Sequence, residues 1–317
     1  LAIQQITSQQ KKAFVLGGGS NVIFRSTQGL VILHNQLKGI EPLPSENARL
    51  KIESLERVPE TKVTQRVRVA TGEDWHSFVA WSLAHHLYGL ENLALIPGTV
   101  GGAPIQNIGA YGVDVQAFIE GVEAIDLKTA EKIYFSHQEC QFGYRDSFFK
   151  RNPNRYFITH VIFALWADPC VSLSYKDLKE ASQGVGHEVT PEWVCQQVIA
   201  IRTQKLPNPK EQGNAGSFFK NPIIDDLAAK NLKEKIPQVP VFRDGNHYKI
   251  PAAFLIEHCG WKGKKNQNVG VYEKHALILV NQGHATGDDV WVFSCNLMAD
   301  IYTKTGIQLE IEPVFVS

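Results

Sequence analysis

The sequence predicts a chain of the α/β or α+β class, organised as two or three domains. Three observations carry that reading. The length, 317 residues, exceeds what one ordinary core supports. Strand-like apolar runs and amphipathic helical stretches mix along the whole chain, with no internal repeat and no low-complexity tract. The composition, 44% hydrophobic and 20% charged, is that of a folded globular protein and excludes disorder for the bulk of the chain. A formal net charge of zero argues against a dedicated nucleic-acid binder. No apolar run approaches the roughly 20 residues of a membrane span, no secretory leader is expected, and a cytoplasmic location is expected.

The elements follow in order. Ala13–Leu16, Val22–Phe24 and Leu30–Leu33 are apolar runs with strand character, the first two separated by Gly17-Gly18-Gly19-Ser20-Asn21. Pro42 to Asn47 reads as a loop, and Leu50–Leu55 and Lys62–Ala70 as alternating strands. Asp74 is a cap for a helix whose face carries Trp75, Phe78, Val79, Ser82 and Leu83, with Gly89 as its stop. Gly89 to Gly112 is glycine-rich and shows little periodicity of either kind. Strand-like pieces return at Gly121–Leu127, Lys132–Phe135 and Tyr156–Leu165. Thr190-Pro191-Glu192 opens a helix, since a capping threonine precedes a proline at the first helical position. It carries Val194, Val198 and Ile201 on one face, and Pro207 and Pro209 end it at a domain boundary. Pro251–Cys259 and Asp288–Thr305 are helical, the second stopped by Gly306. His275–Asn281 is a candidate buried strand, and Ile307–Val316 an alternating closing strand.

The five cysteines, Cys140, Cys170, Cys195, Cys259 and Cys295, are odd in number and widely spaced. That pattern argues against a disulfide framework, and with no ligand spacing among the histidines no metal is expected.

Four segments do not look like scaffold. Gly17 to Asn21 could be a plain tight turn or a cradle of main-chain N–H groups for a phosphate. It satisfies neither the P-loop nor the dinucleotide fingerprint, because no Gly-Lys-Ser/Thr follows and Val22 stands where the third glycine would be. Gly89 to Gly112 is too apolar for a solvated loop; it could line a flat heteroaromatic ligand or be a buried crossover. Phe142-Gly143-Tyr144-Arg145-Asp146-Ser147 sets a guanidinium among aromatics. There Arg145 could hold an oxyanion, or pair with Asp146 or another carboxylate. In Gly213–Pro222, Ser217 could be reactive or a helix cap, and no neighbouring histidine supports a hydrolase triad.

Taken in this order, Gly17–Asn21, Ile96-Pro97-Gly98, Pro104 to Gly112, Phe142–Asp146 and Gly216 to Pro222 resemble the UDP-N-acetylenolpyruvoylglucosamine reductase family, from about Ala13 to the C-terminus. The resemblance implies an α+β fold: a two-part FAD-binding region of the vanillyl-alcohol-oxidase-like type and an α/β substrate-binding domain. The implied parts are residues 1–60, 61–203 (with a substrate loop near 170–180) and 204–306. Residues 307–317 would then be a C-terminal strand carrying a catalytic glutamate. It implies FAD as cofactor and NADPH as reductant, the two nucleotide substrates using one pocket in turn. The substrate would be UDP-N-acetylglucosamine enolpyruvate and the product UDP-N-acetylmuramate, a peptidoglycan precursor. A monomer is expected.

The resemblance also assigns residues. Arg145 would stabilise the enolate-like charge beside the substrate carboxylate, Ser217 would donate the proton to the carbanion, and Glu312 would be the catalytic glutamate, with Glu310 the rival on the same strand face. Tyr175 matches a tyrosine in a loop that covers the sugar nucleotide. Arg202, Lys205, Asn221, Lys262, His275 and Tyr111 are expected around the substrate, with Asn214 in support. Gly17, Gly18, Gly19, Ser20, Asn21, Pro97, Gly98, Thr99, Gly101, Gly102, Ile105, Gly109 and Ala110 are expected at the cofactor. Two departures stand out. The chain opens at Leu1 without the family's earlier strand and helix, so the first FAD-binding part is expected to be incomplete. Pro313 and Val314 follow Glu312 where the family has valine and often an arginine two residues after the glutamate, and a proline there suits only a sheet edge or bulge. Two other readings compete: an FAD-dependent oxidase of similar fold, and an inactive relative that holds a UDP-sugar.

Overall fold

The computed structural model describes residues 12–44 and 64–317. The chain divides into two compact units. One takes the chain up to Gly19 together with Gly29–Arg202, and the other takes Ser20–Gln28 together with Thr203–Ser317.

The first unit is built on a five-stranded antiparallel sheet. Its strand order is Ile40–Pro42, Thr64–Ala70, Tyr156–Trp166, Ile119–Asp126, Lys132–Ser136. The long strand Tyr156–Trp166 is central, its last six residues all buried. Its apolar side and the helix Trp75–Ala84 share a core with Trp75, Phe78, Leu90, Leu93, Phe118 and Phe163. On the solvent side, Arg66 and Arg68 reach across the strands to Glu120 and Glu123. A separate parallel pair joins Lys12–Leu16 to Leu30–His34 in register Phe14 to Ile32.

The helix Trp75–Ala84 starts on the expected cap: the Asp74 carboxylate accepts the Ser77 N–H at 2.8 Å. It ends well before Gly89, because His86 takes a left-handed conformation (φ 56°) that cannot continue the helix. The aperiodic stretch that follows is structured after all. It contains a 3₁₀ turn at Glu91–Leu93, a short helix at Gly102–Gln106 and a two-residue hairpin pairing Gly109–Ala110 with Val113–Asp114. Elements this short leave no periodic trace in a sequence.

The second unit has its own core, centred on Phe218, Phe219, Leu232, Leu255, Leu297 and Ile301. The helix Gly287–Thr305 supplies Phe293, Leu297 and Ile301. It opens on a Thr286–Asp289 capping box and closes on Gly306 at φ 77°. Two three-stranded sheets accompany it, Asn214–Ser217 with Ile278–Asn281 and Val269–Val271, and Ile223–Ile224 with His247–Lys249 and Phe242–Asp244.

The expected closing strand is shorter than its alternation implies. Regular pairing is confined to Val314–Val316, which runs parallel to Val22–Phe24. Pro313 stands just before it, where a missing N–H breaks no ladder. The two apolar runs flanking the glycine turn therefore enter different sheets in different units. The strand read at Leu50–Leu55 lies outside the described residues.

Candidate active site

Strand Lys12–Leu16 delivers Gly17 and Gly18 against the turn Pro97–Thr99. A Cβ at Gly17 would lie 2.6 Å from the Thr99 hydroxyl, and one at Gly18 2.9 Å from the Gly98 Cα. The second turn is pinned from behind: Gly98 O accepts from Trp75 N–H at 3.1 Å, and Val100 N–H donates to Glu73 O at 2.9 Å. Two turns of bare backbone thus stand face to face, which only glycine permits. At Gly102 a Cβ would meet nothing within 4 Å, so the main chain there is open to a ligand. Open main chain of this kind fits the diphosphate of a flavin dinucleotide. In the other unit, Asn21 has a buried side-chain N–H group with no acceptor among the described residues. The remaining cofactor candidates lie nearby in sequence; Ile105 is partly buried, and its carbonyl accepts the Ser147 hydroxyl at 2.8 Å.

Arg145 is held at both ends. Its backbone is left-handed (φ 51°), and its carbonyl accepts from Lys150 Nζ at 3.0 Å. Its guanidinium lies 5.4 Å from the Tyr144 ring centre, donates to Gly109 O and Asn107 O, and pairs with Asp114 at 3.2 Å. The neighbouring acid in sequence is otherwise engaged: Asp146 pairs with Arg151. Buried Asn107 ties the same loops together. Its side chain donates to Gly143 O at 2.8 Å and accepts from Gln116 N–H at 3.1 Å. The segments 104–112 and 142–147 are therefore one interlocked structure.

Tyr111, left-handed at φ 50°, meets Tyr175 edge-on with ring centres 5.0 Å apart. Tyr175 is exposed and stands at the start of the helix Lys176–Ser182. Asn92 bridges the two loops, donating to Tyr111 O at 2.9 Å and Ser172 O at 3.0 Å. Tyr111 also hydrogen-bonds Arg202. Burial pushes the Tyr111 phenol up and the Arg202 guanidinium down from their ordinary values, and each partly offsets the shift of the other. The Arg202 Nε is buried and meets no acceptor among the described residues. A guanidinium whose Nε is buried and unmatched among the described residues is suited to an anionic ligand.

In the second unit, Ser217 ends the strand Asn214–Ser217 and is exposed. The turn before it is set by Asn214, whose side-chain oxygen accepts from Gly216 N–H at 3.0 Å. Main-chain bonds bring the C-terminal segment beside it. Glu312 N–H donates to Phe218 O and Lys220 N–H to Glu310 O, both at 2.9 Å, around the bridge from Phe219 to Ile311. Glu310 is exposed and paired with Lys220, whereas Glu312 is half-buried. The other candidates divide. Asn221 accepts from Ala252 N–H at 2.9 Å and so caps the helix Ala252–His258. Lys262 pairs with Glu257 at 2.9 Å on the surface. The His275 Nδ1 accepts from Leu277 N–H at 3.3 Å. Lys205 is exposed at the end of the helix Pro191–Lys205.

Sequence reasoning missed Asp114, Asn107, Asn92 and Lys220. Only Asn107 carried a signal, as an amide inside a glycine-rich run; the others act on partners distant in the chain. Among the described residues no group of three or more His, Cys, Asp or Glu could hold a metal. Burial pushes the Cys140 thiol up to about 12 and Cys195 up to about 11, which makes both poor nucleophiles.

Comparison with known proteins gives the family. Residues 208–316 match the C-terminal domain of UDP-N-acetylenolpyruvoylglucosamine reductase, and residues 1–131 match an FAD-binding domain. The chain is 44% identical over 303 residues to the UDP-N-acetylenolpyruvoylglucosamine reductase of Bdellovibrio bacteriovorus, covering 95% of this chain and 85% of that protein. The chain belongs to the UDP-N-acetylenolpyruvoylglucosamine reductase family. The corresponding reductase of Pseudomonas putida is 38% identical over 315 residues, covering 98% of this chain and 88% of that protein. The crystal structure of the Thermus caldophilus reductase shares the fold, with a TM-score of 0.61 at 21% identity over 99% of this chain and 90% of that one. As a member of this reductase family the chain is an FAD-dependent oxidoreductase, and its fold is α+β. No helix among the described residues is long and apolar enough to cross a membrane.

Proposed function

We propose that the chain reduces the enolpyruvyl ether of UDP-N-acetylglucosamine to the lactyl ether of UDP-N-acetylmuramate, a step of peptidoglycan precursor synthesis, with NADPH as the electron source. Bound FAD would supply the hydride-transfer chemistry between NADPH and the terminal carbon of the enolpyruvyl group. The residues for it are Gly17 to Asn21, Pro97 to Thr99, Gly101, Gly102, Ile105, Gly109 and Ala110.

The rest falls to the side chains. Hydride arrival leaves negative charge on the carbon beside the substrate carboxylate. Arg145 stabilises that charge, because its guanidinium is fixed before the substrate arrives and costs no reorganisation when charge develops. The Ser217 hydroxyl gives its proton to that carbon. An alcohol is a weak acid, but a carbanion is a strong enough base to take the proton, so no histidine is required. Glu312 assists in the same step. Arg202, whose buried Nε meets no acceptor among the described residues, receives an anionic part of the sugar nucleotide, Lys205 is assigned to the same ligand, and Tyr111 and Tyr175 border the sugar. Asn221, Lys262 and His275 complete the substrate surface.

The observation that carries this reading is the fixed Arg145. A rigid cation backed by peptide carbonyls serves a developing anion, not the removal of a carbinol proton, which an oxidase would need. The test separates the half-reactions by stopped-flow absorbance of the flavin. NADPH should bleach the bound flavin, and UDP-N-acetylglucosamine enolpyruvate should restore its colour without oxygen. Rapid oxygen uptake without NADPH would favour the oxidase. Sugar-nucleotide binding without any retained flavin would favour an inactive relative.

A further inference from the structure

We infer that Asp114 is a positioning residue for Arg145, setting the direction in which the guanidinium is offered to the substrate. This rests on the role proposed above for Arg145. The Asp114 carboxylate lies 3.2 Å from one Nη of Arg145, and it comes from a different loop, 31 positions earlier in the chain. The local fold is arranged around this pair. Gly109 and Asp114 are register partners in the two-residue hairpin. A Cβ on Gly109 would lie 1.7 Å from the Asp114 carboxylate oxygen and 2.6 Å from the Arg145 Nη. The hairpin thus has a glycine where the carboxylate and the guanidinium meet, and any side chain there would displace both. Asp114 is itself set by its neighbours. The next N–H, of Val115, donates to Ile108 O at 2.8 Å, and that of Gln116 to Asn107 Oδ1 at 3.1 Å.

These three partners of the guanidinium divide by chemistry. Gly109 O and Asn107 O are neutral, whereas Asp114 is anionic. The carbonyls limit where the fork can lie, and the carboxylate chooses among those positions by charge and hydrogen bonding together. The Asp114 side chain is 40% exposed and that of Arg145 18%, so solvent screens the pair. Its contribution to stability is therefore small, and its main effect is orientation. A substrate carboxylate meeting Arg145 finds a fork already aimed.

The test is Asp114→Ala, with the two half-reactions measured separately on the FAD-loaded enzyme. Reoxidation of the reduced flavin by the enolpyruvyl substrate should slow about 100-fold, the order of loss expected when a reacting group is misplaced by about 1 Å. Flavin reduction by NADPH should stay within about threefold of the parent, since hydride transfer to the flavin does not use the carboxylate clamp. Asp114→Asn keeps an acceptor oxygen of the same shape and should recover most of the lost rate. Equal slowing of both half-reactions, no slowing of either, or no recovery by Asp114→Asn would each overturn the inference. Arg145→Lys separates this inference from the reading beneath it. If Arg145→Lys leaves substrate reduction intact, the role of Arg145 is wrong. If it abolishes substrate reduction while Asp114→Ala does not reduce it, only the role of Asp114 is wrong. In the Arg145→Lys background Asp114→Ala should add little further loss; full additivity would show that the two residues act apart.

Discussion

The two units position their proposed catalytic groups by different means. In the first, Arg145 is placed largely by side chains: Asp114 pairs with its guanidinium, Asn107 ties its loop and Lys150 meets its carbonyl, in addition to the carbonyls of Gly109 and Asn107. In the second, Ser217 and Glu312 are placed by main chain, through the pairing of residues 218–220 with 310–312. A site held by side chains is sensitive to many neighbouring substitutions. One held by backbone bonds is sensitive chiefly to residues whose own side chains react, because substitution there leaves the N–H and C=O groups in place.

The sharpest test of the second region is Ser217→Ala. It should cut substrate reduction about a thousandfold, within the range of a lost general acid, while leaving flavin reduction by NADPH nearly unchanged. Parallel loss in both half-reactions would remove Ser217 from the proton step. In the first region Gly109→Ala changes no side chain proposed to react, yet it places a methyl where the carboxylate and guanidinium meet. Substrate reduction should fall about 100-fold through misplacement of that pair, and the flavin content of the purified variant measures separately any loss of the cofactor contact proposed for Gly109. A fully active Gly109→Ala enzyme would end the contrast between the regions.

Glu312→Gln should impair substrate reduction more than Glu310→Gln. Glu310 is exposed and spends its charge on Lys220, a pair of the kind worth about 0–1 kcal/mol. The reverse order in steady-state kcat would assign the catalytic role to the other glutamate. The smallest effect concerns the framework of the first unit. Burial pushes the Asp126 carboxyl up, but the amides of Lys128 and Thr129 and the Arg155 guanidinium outweigh it, so its net shift is down. A depressed carboxyl stabilises the folded state fully above its unfolded value of about 3.9 and loses that contribution as pH falls through the folded value. Asp126→Asn should therefore lower the Tm at pH 7 and narrow the difference from the parent in acid. A gap that widens in acid would contradict the sign.

Much of this was legible in the sequence. The helices Pro191–Lys205 and Gly287–Thr305 follow from a threonine cap, a proline and a buried stripe, all local features. At Gly17 to Asn21 the sequence leaves a plain turn and a phosphate cradle open, and the structure adds that a Cβ at Gly17 would lie 2.6 Å from the Thr99 hydroxyl. The closing strand was read too long, because Leu309, Ile311 and Pro313 alternate with polar residues whether or not a ladder forms. At Arg145 the sequence leaves open an ion pair with Asp146 or another carboxylate. The partner proved to be Asp114, which no spacing rule connects to it.

The sequence by itself determined the residue types and their order: bare backbone at Gly17 to Gly19, a guanidinium at 145, a hydroxyl at 217 and a choice of two glutamates near the end. It determined the longer helices as well, since caps and apolar periods act within a few residues. Only the tertiary structure decided which acid faces Arg145, that Asn92 ties the Tyr111 loop to the Tyr175 loop, and that Glu310 is spent on Lys220 while Glu312 is half-buried. Each of these is a contact across at least 19 positions, carried by hydrogen bonds or charge over a few ångströms, and such contacts exist only once the chain has folded.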